Sequence, residues 1–102
     1  MTEDNRVALR GKLVELDVLR HTPAGIPIVN FRLAHQSMQS EAGIERKIDC
    51  EVQAVAFGRE ARLLSGACPG SEITCRGFLD RKGRTKRQLV LHATQIEFEL
   101  KE

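Results

Sequence analysis

The chain has 102 residues, of which 41% are hydrophobic and 4% aromatic, with 16 Lys+Arg against 14 Asp+Glu. That length builds one domain around a single modest core, and with four Phe and no Trp or Tyr that core must be largely aliphatic. No apolar run approaches the roughly 18 residues of a membrane span, and the opening Met1-Thr2-Glu3-Asp4-Asn5-Arg6 is too acidic for a secretory signal. A cytoplasmic protein that does not enter the membrane is therefore expected, with residues 1–5 frayed.

Val7, Leu9, Gly11 and Leu13 share one parity, and Val14, Leu16 and Val18 the other, so the first strand changes face near Gly11 and the Leu13-Val14 pair. A glycine there predicts a bulge or the sharp bend of a small barrel. Thr22-Pro23-Ala24-Gly25 is a turn. A second strand follows over 26–37, with Val29, Phe31, Leu33 and His35 on one face and Asn30, Arg32, Ala34 and Gln36 on the other. The polar segment 39–45 reads as a flexible hairpin loop. The third strand, 46–56, has the cleanest period of two: Ile48, Cys50, Val52, Ala54 and Ala56 point inward, and Lys47, Asp49, Glu51 and Gln53 outward. Phe57, Ala61 and Leu64 then recur at helical spacing, predicting one or two turns of helix that end near Gly66. Pro69-Gly70 turns the chain into a fourth strand over 71–80, with Ile73, Cys75 and Leu79 on one face and Gly77 as a second corner glycine.

The fifth strand, 88–100, is apolar on both faces: Leu89, Leu91 and Ala93 on one, Val90, Ile96, Phe98 and Leu100 on the other. Such a strand is expected to line a subunit contact, which predicts a homodimer with Val90, Ile96 and Phe98 at the interface. Five strands with a short helix or turn between the third and fourth give an all-β OB-fold, a Greek-key barrel that often binds oligonucleotides.

Between the last two strands lies Arg81-Lys82-Gly83-Arg84-Thr85-Lys86-Arg87, with five cations in seven residues and no acid. Without those five, 11 basic residues remain against 14 acidic ones, so the body of the protein is net acidic and the positive charge is local. Local positive charge on a projecting loop suits a phosphate backbone, the alternative being a solvated hairpin tip.

Other chemistry finds little support. Cys50, Cys68 and Cys75 are odd in number and form no Cys-x-x-Cys pair, and His21, His35 and His92 share no ligand spacing with them. No disulfide framework, metal site or cofactor is expected, and Cys50 and Cys75 should pack as small hydrophobes. No triad or convergent carboxylate pair stands out, and Asp49 and Glu51 read as a solvated face, so no catalytic residues and no enzyme are expected.

Thr22-Pro23-Ala24-Gly25-Ile26-Pro27, Phe31-Arg32-Leu33-Ala34, Val55-Ala56-Phe57-Gly58 and Gly77-Phe78-Leu79 resemble bacterial single-stranded DNA-binding proteins. Residues 35–43 (His-Gln-Ser-Met-Gln-Ser-Glu-Ala-Gly), Gly77-Phe78 and Leu91-His92-Ala93-Thr94-Gln95-Ile96-Glu97 narrow the resemblance to the primosomal replication protein N (PriB) family, colinear from about Val7 to Leu100. The resemblance implies a dimeric OB-fold that binds single-stranded DNA in replication restart. It also implies that the protein bridges PriA helicase and DnaT, with single-stranded DNA-binding protein as a further partner. The family's contacts map onto Lys82, Arg84, Lys86 and Arg87, beside Arg81, and onto Arg20 before the turn. Asp49 stands where some members carry tryptophan, and Gln36 where an arginine is known; Arg32 and Lys47, on the same outward parity, are expected to compensate.

With so few aromatics, binding is expected to rest on charge; Phe78 alone is placed for stacking, the alternative being that it packs under the helix or at the dimer interface. A general single-stranded DNA-binding protein is the nearest alternative, but the long Gly/Pro/Gln-rich tail usual there does not follow the fifth strand. An RNA-binding OB module fits less well without aromatic-rich strands.

Overall fold

A computed structural model describes residues 1–99. The chain runs β1 (Val7–Leu16), β2 (Arg20–His21), β3 (Pro27–Glu41), β4 (Ile44–Phe57), α1 (Arg59–Ser65), β5 (Glu72–Arg81) and β6 (Leu89–Phe98). Five long strands close in the order β1-β5-β6-β4-β3, because β1 pairs antiparallel with both β5 and β3. The join between β4 and β6 is parallel and short, Ala54 opposite Leu91 and Val55 opposite His92. This closed barrel with its one helix is the OB-fold read from the sequence; β2 is a two-residue addition on the edge of β3.

The core is aliphatic as the composition requires. Leu13, Val29, Leu33, Ala54, Ala56, Ile73 and Leu91 fill it, and Ala61 and Leu64 of α1 cap one end. Cys75 packs among them, and burial pushes its thiol up to about 12, so it stays protonated and inert. Cys50 and Cys68, by contrast, are exposed. Of the four phenylalanines only Phe31 is fully buried. Phe57 does not belong to the helical repeat: it is the last residue of β4, one step beyond Ala56, so strand parity turns it outward.

Two bulges set the strand registers. In β1 the pairing with β3 slips between Leu13 and Glu15, so Val14 is the extra residue and Glu15 faces Arg32. The face change therefore sits at Val14, and Gly11 serves a different end: a Cβ there would lie 2.8 Å from the Ala34 carbonyl oxygen. In the β5–β6 pair the register slips after Arg76, where Cys75 faces Ile96 but Gly77 faces Ala93. The extra residue, Thr94, inverts the parity of β6, so Leu91, Ala93 and Ile96 enter one core and Phe98 packs against it. A Cβ on Gly77 would come within 1.7 Å of the His92 carbonyl oxygen, so the close approach at this corner requires glycine.

The second bulge corrects the reading of the fifth strand. Ile96 and Phe98 are not a second apolar face; they are the same face after a one-residue slip, Ile96 buried and Phe98 half-buried within one chain. Val90 does point outward, yet it too is buried within the chain. The apolar pattern of β6 thus comes largely from packing within one chain, with Phe98 only half-buried there. Leu100, placed on that strand from the sequence, lies outside the described residues.

Segment 39–45 is more ordered than expected of a flexible loop. β3 and β4 stay paired as far as Glu41 opposite Ile44, and only Ala42 and Gly43 turn the chain, both at positive φ (52° and 77°). Positive φ at both central residues defines the type I′ hairpin turn, whose twist matches that of the strands. The outer half of this ribbon has left the barrel, which exposes Met38, Ile44 and Cys50. The radius of gyration is 14.6 Å, above the roughly 13 Å of a compact chain this long, as a projecting arm requires. At the ribbon's root the His35 Nδ1–H donates to the Arg10 carbonyl oxygen (2.6 Å) and its Nε2 accepts from the Ser37 hydroxyl (2.8 Å). The carbonyl can only accept, which fixes the tautomer. Before β1, the Asn5 side chain exchanges two hydrogen bonds with the Leu79 backbone.

Candidate nucleic-acid interface

A groove crosses the outer face of β3 and β4. Its floor carries Ile28, Asn30, Arg32, Gln53, Val55 and Phe57; Glu15 and Asp17 form one wall, and Asp80, Arg81, Lys82, Val90 and His92 the other. Parity explains the floor, since Asn30, Arg32, Gln53 and Phe57 are the residues that alternate with the core positions Val29, Phe31, Ala54 and Ala56. The face between the β1–β2 connection and the β5–β6 loop is the one on which OB-folds take oligonucleotides.

On one side of this floor stands an aromatic stack. The His92 ring lies between Phe78, at 4.9 Å and 9°, and Phe57, at 6.0 Å and 11°. The order follows from register, because Phe78 is directly opposite His92 on β5, and β4 adjoins β6 at Val55. Phe57 and Phe78 are 42% and 38% exposed, so ring surface is open to a nucleobase. Phe78 is legible as a platform from its parity. Phe57 and His92 escape that reading, although extending the alternation of β4 by one residue turns Phe57 outward.

The loop between β5 and β6 starts at the groove's wall, where Arg81 and Lys82 line it. It is closed by the Lys82 N–H donating to the Gln88 carbonyl (2.8 Å) and folded by the Lys86 N–H donating to the Gly83 carbonyl (3.1 Å). The Arg81 guanidinium donates to the Arg84 carbonyl (3.0 Å), which braces the loop's base. Arg81, Lys82, Arg84, Lys86 and Arg87 are all exposed, and among the described residues none is in an ion pair with a carboxylate.

The other basic residues are placed differently. Arg32 lies in the groove, but its guanidinium is held by Glu15 (3.2 Å) and Glu51 (3.7 Å). Arg20 is exposed on β2, opposite Ile28, which is in turn opposite Phe57, so it extends the groove's outer row at the far edge. Lys47 does not line this groove. It pairs with Met38 on the ribbon, six residues along β3 from Arg32, or about 20 Å of strand. Between them Gln36 donates to Asp49 (3.3 Å), so both departures from the family pattern are tied to each other. Among the described residues no group of three or more His, Cys, Asp or Glu is placed to hold a metal ion, and no helix is long and apolar enough to cross a membrane.

Known proteins agree with this geometry. Residues 5–95 match the model of a family described as another single-strand binding protein family. The replication restart protein PriB of Nitrosomonas europaea is 41% identical over 88 residues, covering 86% of this chain and 82% of that protein. This chain belongs to the PriB family. PriB of Yersinia pestis is 39% identical over 101 residues, 96% of this chain and 95% of its own. The solved PriB of Ralstonia solanacearum superposes with a TM-score of 0.84 at 38% identity, over 93% of this chain and 98% of that one. The single-stranded DNA binding protein of Thermus aquaticus follows with a TM-score of 0.75 at 27% identity, over 94% of this chain and half of its own. The PriB barrel thus shares its architecture with proteins named for single-strand binding.

Proposed function

We propose that this protein binds single-stranded DNA in replication restart, without catalysing a reaction. The observation that carries the reading is one continuous surface on which a stack of exposed aromatics adjoins a loop of cations unpaired among the described residues. The loop neutralises phosphates and the rings receive bases, so affinity has two sources where the composition suggested one. Stacking contributes about 1–3 kcal/mol per base, and each phosphate neutralised on a single strand adds about 0.7 to the slope of log K against log[salt]. Arg81, Lys82, Arg84, Lys86 and Arg87 make up the electrostatic part, with Arg20 at the far edge.

The same reading includes the partners that PriB resemblance implies: PriA helicase and DnaT, bridged by this protein, with single-stranded DNA-binding protein as a third, all in the cytoplasm. The loop is accessible to an acidic protein surface as well as to DNA, so excess single-stranded DNA should displace DnaT. A homodimer belongs to the proposal too, now supported by open strand edges. Among the described residues the outer edge of β4 has a strand partner only at Ala54 and Val55. Unpaired edges of that length invite another strand.

Fluorescence anisotropy with an oligothymidine at several salt concentrations tests the binding. The expected result is a salt-dependent affinity that keeps a residual, salt-independent part from stacking. An affinity insensitive to salt would sink the assignment of the loop. Sedimentation equilibrium should report about twice the 11.4 kDa chain mass, and a monomer at micromolar concentration would remove the dimer from the proposal.

A further inference from the structure

We infer that Glu15 and Glu51 hold Arg32 out of phosphate binding and so limit the affinity of the groove, an inference that rests on single-strand binding as proposed above. Arg32 is on the groove floor and would be counted among the contacts from its position alone. Its Nη1 instead lies 3.2 Å from Glu15 Oε2 and 3.7 Å from Glu51 Oε1, whereas Arg81 and Lys82 on the wall beside it meet no carboxylate among the described residues.

The arrangement is built into the strand registers. Without the bulge at Val14, continuous pairing from Leu13 opposite Leu33 would set Val14 opposite Arg32. The extra residue brings Glu15 there instead. On the other side Gln53 is opposite Arg32 and Glu51 is opposite Ala34, so Glu51 reaches Arg32 on the diagonal. A carboxylate therefore flanks the guanidinium from each neighbouring strand.

A phosphate reaching Arg32 must displace both carboxylates and then lie beside them. Attraction by one cation is offset by two anions at similar range, and no counterion is released from a cation already paired within the protein. The pairs are exposed, with side chains 37% accessible for Arg32, 60% for Glu15 and 58% for Glu51, so little of the fold depends on them.

The test is a set of titrations with oligothymidine across salt concentrations. Glu15→Gln with Glu51→Gln should tighten binding about threefold to tenfold at low salt and steepen the slope by about 0.7, one further phosphate. Arg32→Ala in the parent should change affinity by less than about twofold, and in the Gln background it should erase the gain. Glu3→Gln with Glu45→Gln removes the same charge from exposed sites outside any ion pair among the described residues, and should reproduce neither effect. A gain that survives Arg32→Ala, or that the control pair matches, overturns the inference. So does a parent that binds while the Gln variants leave its slope unchanged. Failure of parent and variants alike to bind would instead remove single-strand binding itself, and this inference with it. Thermal melts of each variant confirm that the barrel is intact.

Discussion

The loop at 82–88 and the outer ribbon of β3 and β4 both project from one barrel, yet they treat their charges in opposite ways. Residues 81–88 hold five cations and no acid, and none of the cations is in an ion pair among the described residues. Residues 36–51 hold two cations, Arg46 and Lys47, against Glu41, Glu45, Asp49 and Glu51. Arg46 is bound to Glu41 across the ribbon's tip. A cation already paired within the protein has no counterion to release, so Arg46 adds nothing to the salt-dependent term, and Lys47, in no ion pair among the described residues, is left among more carboxylates than cations. Counting basic residues therefore misjudges both arms; what matters is which cations are free.

The strongest way to break this comparison is to discharge the loop. Lys82, Arg84, Lys86 and Arg87 changed together to Ala should weaken single-strand binding at least about 100-fold at low salt and flatten the slope by about 0.7 for each phosphate no longer neutralised. Stability should hardly move, because exposed substitutions cost under about 0.5 kcal/mol each. Parent-like affinity in a folded variant would return the site to the barrel face.

A smaller effect sharpens the division of labour within the groove. Phe57→Ala removes one ring from the stack with His92 and Phe78 and should cost about 30-fold in affinity, near the middle of the range for base stacking. The salt slope should stay at its parent value, since every cation of the loop is kept. A flattened slope would mean that Phe57 shapes the loop instead of meeting a base.

The smallest effect belongs to the ribbon. Ala42 adopts φ 52°, a region that Asn tolerates better, and Asn-Gly is the preferred pair of a type I′ turn. Ala42→Asn should raise stability by about 0.5–1 kcal/mol, or a few degrees in Tm, with affinity unchanged. Altered DNA binding would make the ribbon part of the site, contrary to its charge.

Alternation, turn residues and one short helical repeat are enough to place five strands and α1, since each depends on a residue's near neighbours. The basic stretch of 81–87 is equally plain, because charge is carried by the residues themselves. The apolar pattern of the last strand reads as two faces for a definable reason. A one-residue bulge at Thr94 inverts parity, and nothing in 89–98 alone distinguishes two apolar faces from one face that slips. The glycine that allows that slip lies on a different strand, at Gly77, against the His92 carbonyl.

The sequence by itself determined the barrel, its aliphatic core and the location of the excess positive charge, because these follow from patterns within single segments. Tertiary structure decided which side chains meet. Phe57, His92 and Phe78 come from three strands, and they stack only because β4 and β6 join at Val55 and His92. Arg32 is loaded with Glu15 and Glu51 only because a bulge in β1 brings Glu15 opposite it. Contacts between residues far apart in the chain depend on register, and register is a property of paired strands that no one strand encodes.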